Sequence, residues 1–212
     1  MRYAGANLPL KTAHKQSQQA PPRFLADAML GSVARKLRAF GFDTAYLAHT
    51  HDDEVMRVGE AEARTILTAD RELFKRIVAS NRPGVLVDCK NEFEDLLHIL
   101  AKAGVKSIAL DGDPGNSAGS RCSTCNGLLE NRNPSQVEGL VPVPLLARHD
   151  KFYQCSSCGK VYWHGGHFKR LSVLAGRLDA RLAALGAGNG AKNIPSGPKQ
   201  NNGRKRVQTT KG

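Results

Sequence analysis

The chain has 212 residues, 41% of them hydrophobic, five cysteines and a formal net charge of +12. That length holds one medium domain with a sizeable core and one small one. No run approaches the roughly 18 apolar residues of a membrane-spanning helix, and residues 1–22 lack the apolar stretch of a secretory signal. No membrane contact is expected, and a cytoplasmic location is.

The charge is unevenly placed. Residues 1–120 carry 16 Lys and Arg against 15 Asp and Glu, whereas residues 121–212 carry 15 against 4. A cationic C-terminal part suits a polyanionic partner, most simply nucleic acid.

After a polar leader (1–22), Phe24-Leu25-Ala26 reads as a short buried strand that delivers Asp27 to its carboxyl end. Leu30, Val33, Leu37 and Phe40 then recur at helical spacing, with Arg35, Lys36 and Arg38 on the other face. Gly41 suits the position just past a helix end. A second strand is expected over 42–48. A helix opened by Asp52, Asp53 and Glu54 follows, with Asp52 as a natural N-cap.

Arg64–Asp70 repeats the theme of an apolar strand ending in an acid, and a helix over 71–79 follows. Gly84–Asp88 does so a third time before a helix from about Asn91 to Lys102. Val105–Leu110 is a candidate for one more strand. This alternation argues for a parallel α/β sheet with right-handed crossovers and helices on both faces. Residues 111–120 are a Gly/Asp/Ser linker, 121–170 hold the cysteine module, and Leu171–Leu185 is an amphipathic helix. Residues 186–212 form a basic tail expected to be disordered.

In a parallel sheet, neighbouring strand ends lie about 5 Å apart. Asp27, Asp70 and Asp88 can therefore meet in one crevice, together with the acidic helix start at Asp52–Glu54. Gathered carboxylates raise one another's pKa, and oxygen-only ligands suit Mg²⁺ or Mn²⁺. Taken singly, each acid reads equally as a helix cap or a surface charge. Arg71, beside Asp70, has three open roles: a carboxylate's partner, a phosphate contact or a solvated cation.

Cys122-Ser-Thr-Cys125 and Cys155-Ser-Ser-Cys158 enclose 29 residues. Two such pairs place four thiolates within tetrahedral reach of one Zn²⁺, a closed structural site. A redox dithiol is the alternative. Cys89 stands apart and is expected to be a small buried residue. Around the second pair, Lys151-Phe-Tyr, Lys160-Val-Tyr-Trp-His164 and His167-Phe-Lys-Arg170 interleave cations with aromatic rings. Such residues suit stacked bases and phosphates, and equally the packing of a small zinc domain. Lys160, Trp163, Lys169 and Arg170 are the candidate substrate contacts.

Several of these stretches resemble, as a set, the Mut-seven C-terminal RNase family. They are Phe-Leu-Ala-Asp-Ala-Met-Leu-Gly at 24–31, the Asp52-Asp53-Glu54 run, Ile-Leu-Thr-Ala-Asp-Arg-Glu-Leu at 66–73, Arg-Cys-Ser-Thr-Cys-Asn-Gly at 121–127, and Phe-Tyr-Gln-Cys-Ser-Ser-Cys-Gly-Lys-Val-Tyr-Trp at 152–163. The resemblance covers residues 23–170. It implies a PIN-like three-layer α/β/α sandwich over 23–110, a zinc ribbon over 121–170, and a metal-dependent endoribonuclease. The catalytic acids it implies are Asp27, Asp52, Asp53 and Asp70, with Asp27, Asp53 and Asp70 holding Mg²⁺ or Mn²⁺. Zn²⁺ then belongs to Cys122, Cys125, Cys155 and Cys158. Ala69 stands where a basic residue is common in the family. Enzymes of ribosomal RNA maturation also join a PIN domain to a zinc ribbon, so structured or ribosomal RNA is the expected substrate by analogy. The alternatives are a non-catalytic RNA-binding zinc-ribbon protein with a vestigial site, and a toxin-like nuclease.

Overall fold

A computed structural model describes residues 20–108, 110 and 120–188. Most of the expected leader and linker, and the tail from residue 189, lie outside the described residues. Four short strands form a parallel sheet: β1 (Phe24–Ala26), β2 (Thr44–Tyr46), β3 (Thr65–Thr68) and β4 (Gly84–Leu86), in the order β2-β1-β3-β4. Leu25 lies between Ala45 and Ile66 in register, and Leu67 pairs with Val85. Parallel neighbours need crossovers. These are α1 (Gly31–Ala39), α2 (Asp52–Ala61) and α3 (Arg71–Ala79), with α4 (Glu92–Lys102) following β4.

Alternate residues of a strand face opposite sides, and the two sides are covered by different helices. Phe24, Ala26 and Leu67 pack with Leu37 of α1 and with Leu96 and Leu100 of α4. Leu25 and Ile66 pack with Val55, Leu73 and Ile77 of α2 and α3. The result is the expected three-layer α/β/α arrangement. Gly59 of α2 has a packing reason, since a Cβ there would sit 2.6 Å from Ile66 Cδ1. Gly41 takes the left-handed conformation (φ 92°) that ends α1, and its N–H donates to the Arg38 carbonyl.

Some expectations are corrected. Asp27 opens a 3-10 turn, Ala28–Leu30, ahead of α1. Asp52 is not the cap of α2: His51 holds that position without a side-chain bond. The run from Val105 forms no strand among the described residues. The Val105 N–H instead donates to Leu100, and the Ile108 N–H to Asp179 Oδ1 at 2.8 Å. The C-terminal helix α6 runs from Gly166 to Gly188, and its Ala175, Leu178 and Leu182 belong to the core of the parallel sheet. That helix therefore returns from the cysteine module to close the first domain.

The cysteine module is an antiparallel sheet of β5 (Leu129–Arg132), β6 (Phe152–Cys155) and β7 (Val161–Trp163). Between β5 and β6 a short helix α5 (Val143–Leu146) joins a small core of Val137, Val141 and Phe152. A buried polar network fixes this module against strand β2. The Arg38 guanidinium donates to the carbonyls of Thr44 (2.8 Å), Ser123 (3.1 Å) and Thr124 (3.0 Å). Asn126 accepts from Thr44 N–H at 3.0 Å and donates to Asp43 Oδ1 at 2.7 Å, so a side chain of the ribbon satisfies the open edge of the sheet. Arg64, 6% exposed, donates to the same Asp43 oxygen at 2.8 Å. Burial by itself would raise the Asp43 carboxyl, but hydrogen bonds from Arg64 and Asn126 hold it well below the usual carboxylate range.

Two outcomes follow. Leu178→Ala, which empties a fully buried position, lowers unfolding free energy by about 2–5 kcal/mol in a denaturant titration. Asp43 has a folded pKa below its unfolded value, so its contribution is complete above about pH 4. It is lost as pH falls through the folded value. The stability gap between wild type and Asp43→Asn is therefore widest near neutrality and narrows in acid, as denaturation at a series of pH values will show.

Candidate active site and metal centre

All four strands of the first sheet are parallel, so their carboxyl ends share one edge. Asp27 follows β1 and Asp70 follows β3, its immediate neighbour. Thr68, fully buried, joins them: its hydroxyl donates to Asp27 Oδ2 and accepts from the Asp70 N–H at 2.9 Å. Asp27 also accepts from the Met29 N–H at 3.2 Å. It is 7% exposed, and burial, opposed by these bonds and supported by the nearby Asp70 charge, raises its pKa. Asp70 is exposed and caps α3, accepting from the N–H groups of Glu72 (2.7 Å) and Leu73 (3.1 Å). Arg71 is exposed on the first turn of the same helix.

The other predicted acids have different settings. Asp52 and Asp53 open α2 and both pair with Arg76 of α3, Asp52 at 3.3 Å. Glu54 pairs with Arg57. Asp88, past the end of β4, pairs with Lys90 at 3.1 Å. The structure thus couples Asp27 with Asp70 and holds Asp52 and Asp53 on an arginine.

Sequence reasoning missed two residues here. One is Thr68, the bridge. The other is Asp95, on α4 and only 7% exposed, whose pKa burial raises against hydrogen bonds from the backbone of Asp88 and Cys89. The available signal was an acid at the edge of the apolar stripe of α4, just before Leu96 and one turn before Ile99. Cys89 is exposed rather than buried, in a left-handed conformation (φ 59°). Partial desolvation and the fields of Asp95, Asp27 and Asp88 raise its pKa.

Among the described residues, one set of three or more Cys, His, Asp or Glu has ligand atoms all within 4.8 Å of one another: Cys122, Cys125, Cys155 and Cys158. Sγ–Sγ separations of 3.6 Å (Cys122–Cys158) and 3.3 Å (Cys125–Cys155) approach the roughly 3.8 Å edge of a tetrahedron with 2.3 Å Zn–S bonds. The turns are built for close approach. Asn126 and Gly159 are left-handed, and a Cβ on Gly127 would lie 2.8 Å from Cys155 Sγ. Burial of Cys122 would raise its thiol, but hydrogen bonds from Tyr162 and from backbone N–H groups bring it down to about 6. Burial and the neighbouring sulfurs push Cys125 up to about 12. Four crowded thiols cannot all ionise unaided, so a divalent cation fits them; the set can hold a metal such as zinc. By the same measure the acids form no such set. Mg²⁺, however, is usually held by only one or two carboxylates, with water and substrate phosphate completing its shell.

Of the candidate substrate contacts, Lys160 and Trp163 line a cleft between α1 and the ribbon. Lys169 and Arg170 are exposed on α6 and do not line it. One consequence of the cysteine geometry is measurable. The purified protein carries about one equivalent of zinc by elemental analysis, and Cys122→Ser loses both the zinc and the folded ribbon, read as a large fall in thermal midpoint.

Residues 22–174 match the Mut7-C RNase domain. No curated protein and no solved structure matches the chain. The matched span takes in the acid-bearing sheet, all four cysteines and the first part of α6. An RNase domain implies RNA as the substrate. A match of that extent covers well over half of the sequence, and the protein belongs to the Mut7-C RNase domain family.

Proposed function

We propose that the protein is a metal-dependent endoribonuclease of RNA processing whose centre is the Asp27–Thr68–Asp70 group at the carboxyl edge of the parallel sheet. The observation that carries this reading is a buried carboxylate, Asp27, whose partner hydroxyl on Thr68 also accepts from the backbone N–H of Asp70 at the adjacent strand end. That is where open α/β sheets place their sites. A Mg²⁺ or Mn²⁺ ion bound there supplies a low-pKa water and neutralises charge developing on a phosphodiester. Asp27 and Asp70 hold it, and Thr68 fixes the Asp27 carboxylate. Asp95, which accepts from the backbone of Asp88 and Cys89, holds the chain just past β4 at the same sheet edge. Asp52 and Asp53, steadied by Arg76, extend the acidic rim at the end of the neighbouring strand, where Asp53 is a further ligand. Arg71 meets a phosphate of the substrate. Structured RNA, ribosomal RNA included, is the substrate class. The ribbon, with Lys160, Trp163, Lys169 and Arg170, and the basic tail bind it. No helix among the described residues is long and apolar enough to cross a membrane. Exposed thiols at Cys89, Cys125 and Cys158 suit a reducing cytoplasm.

A second reading has its own observation. Asp70 is already committed to capping α3, and Asp52 and Asp53 to Arg76. On that basis the acids are structural and the protein binds RNA without cutting it.

Cleavage of a structured-RNA pool separates the two. Added Mg²⁺ or Mn²⁺ is compared with its omission rather than with a chelator, which would also strip the ribbon. Wild type cuts only with added metal, Asp27→Asn/Asp70→Asn falls at least about 100-fold, and Asp95→Asn falls roughly 10–100-fold as an outer-shell partner. Equal cutting by wild type and the double variant overturns the assignment.

A further inference from the structure

A concavity of different character from the acid edge lies elsewhere among the described residues. It is a cleft of about 460 Å³ between the outer face of α1 and the ribbon hairpin β6–β7 with the start of α6. That size is within the usual range for a small-ligand site. Ser32, Arg35, Lys36 and Ala39 repeat at helical spacing and make the wall on the α1 side. Arg121 and Lys160 face them from the ribbon. No Asp or Glu is among the described residues that line it. Lys36 is shared with Glu92 at 2.7 Å, whereas Arg35 is exposed on the helix surface.

The floor is flat and aromatic. His164 stacks on Phe168 with ring centroids 3.9 Å apart and 18° between planes, and Tyr153 lies against His164 at 5.1 Å. Tyr162 and Trp163 also line the cleft; adjacent in β7, they lie on opposite faces of that strand, and Trp163 packs in part against the small core of Val137, Val141 and Phe152. Lys160 hangs over the Tyr162 ring at 5.7 Å and donates to Thr124. Flat rings inside a rim of cations, with no carboxylate among the described lining residues, match the two surfaces of an unpaired nucleotide: a base face to stack and a phosphate to neutralise. An acidic peptide would use the cations and leave the stacking surface idle. Position points the same way. Ser32 opens α1 a few residues past Asp27, and from Ser32 to Ala39 the wall runs about 10 Å along the helix. The cleft thus starts near the acid edge and leads away from it.

We infer that this cleft seats an unpaired nucleotide of the RNA, its base on the His164/Phe168 floor and its phosphate between Arg35 and Lys160. Substrates are accordingly selected for a single-stranded segment flanking the cut. The inference rests on the ribonuclease reading for the identity of its ligand, and it deepens that reading by naming what the ribbon recognises.

Trp163 is the sole tryptophan of the chain, so its fluorescence reports directly on the cleft. The zinc-loaded full-length protein, without added Mg²⁺ or Mn²⁺, is titrated with a ten-nucleotide oligouridylate. Parallel titrations use a blunt RNA duplex of equal length and polyglutamate of equal charge. The single strand quenches Trp163, whereas duplex and polyglutamate do not. Arg35→Glu and Lys160→Glu each weaken single-strand binding about tenfold. Each lowers the slope of log affinity on log salt by about 0.7, one phosphate contact on a single strand. Both lie on exposed surface, so folding is unaffected. Phe168→Leu, followed by the same Trp163 signal, weakens binding by a similar factor with an unchanged salt slope, because it removes stacking surface and no charge.

Quenching matched by polyglutamate, or affinity unchanged in both charge-reversal variants, overturns the inference. The two readings fail separately. Metal-dependent cutting with a silent Trp163 removes the cleft assignment and leaves the nuclease. Specific single-strand quenching in a protein that never cuts keeps the cleft and removes the catalytic reading.

Discussion

Two buried arginines hold this molecule in its working shape. Arg38 and Arg64 are each 6% exposed, and a charge so deeply placed must be fully hydrogen-bonded or it destabilises the fold by several kcal/mol. Arg64 meets that demand through Asp43, and Arg38 through three backbone carbonyls, two of them in the first cysteine turn. The ribbon is therefore fixed on the β2 edge by the requirement to satisfy a buried cation, and Asn126 completes the junction. The same arginine lies in the field of Cys122 and Cys125, so it also balances negative charge around the sulfurs.

With the ribbon fixed there, α1 separates two surfaces of opposite character. At its start lie Asp27 and, across Thr68, Asp70; along its outer face runs a cleft rimmed by Arg35, Lys36, Arg121 and Lys160. Carboxylates that hold a cation and guanidinium groups that hold phosphates would neutralise one another if mixed. One short helix keeps them apart. The return of α6 onto α4 locks this geometry, since Leu178 and Leu182 sit in the core of the sheet that carries the acids.

Much of this was legible in the residues. Strand–acid–helix units announced the parallel sheet because a short apolar run followed by helical periodicity has few other solutions. The paired Cys-x-x-Cys spacing announced a metal-binding ribbon because sulfur geometry around one ion restricts chain spacing so closely. Less legible was the partnership of each acid. Asp52 and Asp53 were read together with Asp27, and their ion pairs with Arg76, distant in sequence, were not visible. Asp95 was hidden because an acid among leucines carries no motif of its own, and Thr68 because threonine in a strand is ordinary. Cys89 was expected to be buried from its type, and its exposure depends on a left-handed turn that one sequence does not reveal.

What the sequence determined alone were features set by local chemistry: the order of strands and helices, the acids at strand ends, the four sulfur ligands and the cationic bias of the C-terminal half. Each depends on residues near one another in the chain, where periodicity and spacing act directly. What only the tertiary structure decided were the long-range pairings. Thr68 between two acids, Arg38 reaching the cysteine turn, α6 closing the first core and an aromatic floor facing α1 all join residues far apart in sequence. Contacts of that kind are chosen by packing and by the need to satisfy buried polar groups, and a linear pattern carries neither.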